Sequence, residues 1–170
     1  MICHIVLPEA VKIAIRSSIF IKLADVMFDT SHIHPMIVHF PIATIFIGFI
    51  IEIISHLFRK EQWLRKLSLY FMILATISAI AAVLSGGLFT DESKFSGAIV
   101  QIKEQHQLFG NITMMLIIGA CLLRLFMVFD EREDSWLKWI VLLIYFLSAI
   151  AVFVTGLYGG TMVYNYMIRS

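Results

Sequence analysis

Of the 170 residues, 60% are hydrophobic and 15% charged, and the mean hydropathy of +0.91 lies outside the range of ordinary soluble domains. The chain reads as an all-α integral membrane protein. A net charge of +1, with basic residues scattered rather than striped along one face, gives no footprint for nucleic acid, so no nucleic-acid partner is expected.

Residues 1–30 form a first unit. The run PEAVKIAIRSSIFIKLADVMF interleaves apolar residues with Lys12, Arg16, Lys22 and Asp25. It is too polar to span, but it suits an N-terminal amphipathic helix lying at the membrane interface. The compact apolar core and A-x-A-like cleavage site of a signal peptide are absent. A helix that caps the bundle or contacts a partner fits the same pattern.

Residues 31–170 form the second unit. Four segments, at 36–57, 67–89, 107–129 and 137–164, are apolar over the roughly 20 residues that cross a hydrocarbon core. Glu52 and His56 lie near the far end of the first and Arg124 near that of the third, where side chains can pair or reach the interface. The connections FRKEQWLRK, TDESKFSGAIVQIKEQ and DEREDSW are short and charged, which suits antiparallel neighbours. An up-down four-helix transmembrane bundle is therefore expected.

Orientation follows from the basic residues. Arg59, Lys60, Arg65 and Lys66 lie in or beside the first connection and Arg124, Arg132 and Lys138 around the third, against Lys94, Lys103 and Arg169 on the other side. This places the first and third loops on the cytoplasmic side. The bias narrows when the basic residues of 1–30 are counted.

In such a bundle HIHPMIVHFP, SGGLF (85–89), QHQLFGN (105–111) and TGLYGG (155–160) meet at one rim. Pro35 and Pro41 are tolerated there because the first turn of a helix has free N–H groups. The halves echo each other: His39 opens a hairpin ending in Ser85-Gly86, and His106 opens one ending in Thr155-Gly156, at nearly equal separation. A parallel repeat about an axis along the membrane normal would set His39 and His106 face to face.

Each has a small residue four positions on, Ala43 and Gly110, giving clearance on the same helical face. Two facing imidazoles with such clearance, and with Gly86 and Gly156 nearby, are the parts of a bis-histidine haem b site whose metal ligands are His39 and His106. His34, about 140° around an ideal helix from His39, would hold a propionate or cap the helix. Tyr164 would add a propionate or quinone hydrogen bond, or serve with Tyr158 and Tyr166 as an interfacial anchor.

Competing readings stand beside this one. The histidines would equally serve as interfacial groups bonded to loop carbonyls, and His32 and His34 would join His39 and His106 in a zinc or copper site. The glycines would simply allow tight helix packing. Asn111 is expected to bond across helices. Cys3 and Cys121 belong to no redox motif, and Cys121 reads as a small buried hydrophobe.

The run HPMIVHFPIA, the glycine-rich end of the second span, HQLFGN and the terminal GLYGGTMVY resemble the bacterial membrane family known as domain of unknown function 2231, from about Ser31 to the C-terminus. The matching positions are His34, Pro35, His39, Phe40, Pro41, His106, Gly159, Gly160 and Tyr164. The resemblance implies four spans in a bacterial inner (cytoplasmic) membrane. Because members are often encoded with or fused to cytochrome c and Rieske-type modules, it also implies redox or respiratory partners.

No nucleophile–base pair, phosphate loop or carboxylate dyad is legible, so the chain is not expected to be an enzyme by itself. The leading expectation is a cytochrome b-like subunit that passes electrons between a membrane donor and an external cytochrome or similar redox protein. The alternatives are a cofactor-free subunit that anchors a larger complex, and a histidine-based metal site. The sequence leaves the oligomeric state open.

Overall fold

The computed structural model describes residues 33–58, 60–89, 97–133 and 135–164. The expected N-terminal amphipathic helix and His32 lie outside the described residues. Within them the chain is helical with no strand: α1 (Ile33–Ile37), α2 (His39–Leu57), α3 (Gln62–Phe89), α4 (Ala98–Phe129) and α5 (Leu137–Met162).

The break between α1 and α2 has a covalent cause. Pro41 has no N–H to give the carbonyl of Ile37, so the i→i−4 ladder is interrupted and the helix divides at Val38, whose own dihedrals stay helical (φ −63°, ψ −20°). Val38 N–H still reaches the carbonyl of His34 at 3.1 Å, so the two helices continue as one span, His34–Leu57. The other spans are Gln62–Gly87, Ile99–Phe129 and Leu137–Met162, which bears out the four-span, multi-pass reading.

One boundary differs substantially from the sequence expectation. α4 starts at Ala98, so its 32 residues cover about 48 Å at 1.5 Å per residue, well beyond a hydrocarbon core of about 30 Å. His106 therefore sits more than two turns inside a helix, not at its first residue.

The hairpin partners α2–α3 and α4–α5 pack along their lengths, and α3–α4 and α5–α2 contacts close the ring. Ile45, Met72, Ile117, Met127, Val141 and Tyr145 fill the centre. The inward face of α3 is built from Ser68, Ala75, Ser78, Ala79, Ala82 and Ser85, small residues that let helix backbones approach where lipid gives no hydrophobic drive for association. Thr44 and Ser78 hydroxyls meet across α2 and α3 at 3.2 Å.

The outward faces are as apolar as the core. Ile50, Leu74, Ile77, Leu84, Met115, Leu122, Phe126, Leu143 and Phe153 are all exposed. Since only 28–33% of each span's most apolar window is buried inside the bundle, the remainder faces lipid. Trp63, Trp136 and Trp139 mark the end that carries the α2–α3 and α4–α5 connections, and Tyr164 marks the other, as aromatic belts do. Lys60, Arg65, Lys66, Arg132 and Lys138 share the tryptophan end, called the basic end below.

Glu52 and Arg124 do not pair with each other, and neither snorkels. Glu52 is 0% exposed and accepts a hydrogen bond from Ser68; Arg124 is 3% exposed and pairs with Glu133 at 3.1 Å. Cys121 is buried as expected, whereas Asn111 is exposed.

Gly48 is required by close approach. A Cβ there would collide with the Tyr145 hydroxyl and lie 2.9 Å from Phe71 Cβ. Overpacking of this kind costs about 1–3 kcal/mol, so Gly48→Ala should lower the thermal midpoint in detergent. Tyr145→Phe on that background should recover part of the loss by removing the hydroxyl from the notch. Equal midpoints for Gly48→Ala and the wild type would contradict the packing described.

Candidate functional site

The rim opposite the basic end is assembled from the starts of α1 and α4 and the ends of α3 and α5. His34 is carried by α1, and its imidazole reaches inward to Ser85 on α3. The buried face of α2 contains Pro41, Ile45, Gly48 and Glu52, and His34 continues that line one heptad before Pro41.

Nδ1 of His34 is 2.8 Å from Ser85 Oγ, and Ser85 Oγ donates its single hydrogen to the carbonyl of Ala82, also at 2.8 Å. The serine can then only accept from the imidazole, which places the ring proton on Nδ1 and leaves the lone pair on Nε2. Nδ1 of His106 likewise donates to the carbonyl of Thr155 at 2.9 Å, fixing the same tautomer. Both imidazoles are half-buried. Their ring centroids are 6.2 Å apart with planes at 89°.

Each ring lies against a glycine of the neighbouring helix. A Cβ on Gly86 would come within 3.1 Å of His34 Cε1, and one on Gly159 within 3.2 Å of His106 Cε1. The two halves follow related plans: each histidine bonds to a residue 51 or 49 positions later and lies over a glycine, one position past Ser85 in the first half and four past Thr155 in the second. Phe109 and Tyr158 stack beside this second unit, with centroids 5.9 Å apart.

The partner that sequence spacing proposed for His106 was His39. The residue whose ring meets His106 is His34 instead. His39 is exposed, and its Nδ1 donates to the carbonyl of Pro35, four residues back on its own chain, at 2.6 Å. Ala43, on the same face, is also exposed and clears no space inside the bundle. The 140° between residues 34 and 39 does separate the two, but in the opposite sense: position 34 faces inward and position 39 outward.

The expected clearance at other small residues resolves into ordinary packing. A Cβ on Gly110 would meet Thr155 Cγ2 at 3.8 Å, and one on Gly156 would meet Ile42 Cδ1 at 3.9 Å, normal van der Waals distances. Gly86 keeps its place in the site, and Gly159, which spacing did not single out as a cofactor contact, joins it. Tyr164 is 70% exposed, which suits an interfacial anchor. Among the described residues, no three of His, Cys, Asp and Glu converge as a metal site.

Ser85→Ala should have an effect that Thr155→Ala lacks. The first removes the acceptor of His34 Nδ1–H and leaves a half-buried donor without a partner, at a cost of about 1–3 kcal/mol. The second removes only a hydroxyl bonded to Ala151, since His106 uses the Thr155 backbone carbonyl. Thermal midpoints of the two variants in detergent check this, and equal shifts would contradict it.

Comparison with known families gives one match: the family model described as predicted membrane protein (DUF2231) covers residues 30–170. No curated protein and no solved structure matches.

Proposed function

The chain belongs to the DUF2231 family of predicted membrane proteins, and we propose that it is a haem b-binding, cytochrome b-like subunit with iron held between His34 and His106. The observation that carries this reading is the histidine pair. Both rings have Nδ1 committed to an acceptor, so both offer Nε2 as a ligand, and each is oriented from behind in the way ligating histidines usually are.

The spacing fits as well. Two imidazoles that held one ion between them, each through a nitrogen about 2.0–2.1 Å away as for zinc, would have ring centroids roughly 6 Å apart. The observed separation is 6.2 Å. A donor set of two suits a tetrapyrrole iron, whose other ligands come from the macrocycle, better than a structural zinc, which takes four protein ligands.

Iron held this way supplies one-electron redox chemistry. The protein's part is to fix both tautomers, keep the rings crossed, and hold them half-buried at the rim, where a water-soluble partner can approach. Electrons would pass between a membrane donor and an external redox protein, with other respiratory subunits as neighbours. The basic residues of the first and third loops favour their placement on the cytoplasmic side of a bacterial inner membrane, which puts the histidine rim outside.

Elemental analysis of the purified protein tests the reading. About one iron per chain is expected. Zinc or copper at that ratio would replace it with a histidine metal site, and a metal-free protein that co-purifies with membrane partners would replace it with a cofactor-free anchor subunit.

A further inference from the structure

A second polar cluster lies at the other end of the bundle. Glu52 is 0% exposed, roughly 8 Å inside the end of α2 at 1.5 Å per residue. One carboxyl oxygen, Oε2, accepts from Ser68 on α3; the other, Oε1, is buried with no hydrogen-bond partner. One turn nearer the basic end, His56, its side chain only 11% exposed, places Nδ1 3.8 Å from Oε1 while donating to the Glu52 backbone carbonyl at 2.8 Å, and its Nε2 is buried with no partner. One turn deeper, the Tyr145 hydroxyl fills the notch at Gly48, and it too is buried without a partner.

We propose that Glu52 is a reversible proton-binding site inside the bundle, loaded from the basic end through His56, with Tyr145 as the group beyond it. This does not rest on the haem reading. An anionic carboxylate with a single hydroxyl donor is costly in a hydrocarbon-flanked interior, and the buried cation Arg124 is held by Glu133. A bound proton removes the charge and turns Oε1 into a donor that can be offered to Tyr145.

The transfer balances with water as the proton source. His56 Nε2, buried at rest, takes a proton from water when a side-chain rotation exposes it at the basic end, and the imidazolium passes its Nδ1 proton to Glu52 Oε1 once the ring returns and closes the 3.8 Å gap. Neutral imidazole, now protonated at Nε2, and neutral carboxylic acid remain, and unloading by the reverse route, with Glu52 returning its proton to Nδ1 and Nε2 releasing one to water, restores the starting tautomer. The titratable and charged groups around the site are His56 on α2, Arg65 on α3, Cys121 and Arg124 on α4, Tyr145 and Lys138 on α5, and Glu133 in the α4–α5 connection.

Infrared difference spectroscopy of the purified full chain, recorded as pH is stepped in water and in heavy water, tests the proposal. The expected result is a carboxylic-acid C=O band that grows as pH falls and shifts on deuteration. It should be lost in Glu52→Gln, retained in Glu61→Gln at the exposed surface, and moved to higher frequency in Ser68→Ala, which keeps the carboxyl but removes its hydroxyl donor. The Ser68→Ala shift stands as the assignment should Glu52→Gln fail to fold. No band dependent on Glu52 or Ser68, or one that ignores pH, overturns the proposal. Loss of the band on adding sodium at fixed pH also overturns it, by reassigning the site to a metal cation.

Discussion

If the chain holds haem as proposed, His34→Ala and His106→Ala are each expected to abolish the haem absorbance of the purified protein, and His39→Ala to retain it in full. This expectation combines the proposed ligation with the observed placement of the three rings. His34 and His106 are half-buried, mutually crossed and tautomerically fixed, whereas His39 is exposed and bonded within its own segment. Either truncation would remove one of the two imidazoles that would hold the group, and would also open a gap against Gly86 or Gly159. Absorbance per mole of folded protein is the readout. Full absorbance in both His34→Ala and His106→Ala would remove the pair from ligation, and loss confined to His39→Ala would return the role to the outward ring.

Glu133→Ala is expected to be the most destabilising change at the basic end. Arg124 is 3% exposed, and Glu133 reaches it at 3.1 Å while lying 3.9 Å from Arg65. Removing the carboxylate leaves a buried guanidinium without its counter-charge, and breaking a buried pair from one side costs about 3–5 kcal/mol. Glu133 itself is one-third exposed, so water admitted in its place should hold the loss toward the lower end of that range. The contrasting pair is Asp130–Arg132, at 2.6 Å but with both side chains largely in solvent. Asp130→Ala should cost no more than about 1 kcal/mol. Thermal midpoints in one detergent decide the matter, and equal shifts would show that Arg124 does not depend on Glu133.

The spans were legible because membrane helices announce themselves by apolar length. The early start of α4 was not, because residues 98–106, AIVQIKEQH, are helix-forming but polar, and hydropathy reports what sits in lipid rather than what is helical. Choosing between His34 and His39 failed for a related reason. The first span was expected to begin at residue 36, which left residue 34 outside it, although prolines in the first turns of a helix do not end its face.

A usable signal was present in the sequence. Positions 52, 48, 45, 41 and 34 lie along one helical face that contains the intramembrane carboxylate, while 39, 43, 47 and 50 lie along another that is apolar after its first residue. A buried Glu52 thus points to His34 as the inward histidine. The pairing of Ser85 with His34 also makes the two halves more alike, at separations of 51 and 49, than pairing with His39 did. The notch between Gly48 and Tyr145 had no sequence signature, since it depends on where α5 docks.

The most direct test of the account is the dithionite-reduced minus oxidised absorbance spectrum of the purified wild-type chain. A sharp α band of b-type haem, at about one haem per chain, is the predicted result. A flat difference spectrum from protein purified with haem available during expression would contradict it.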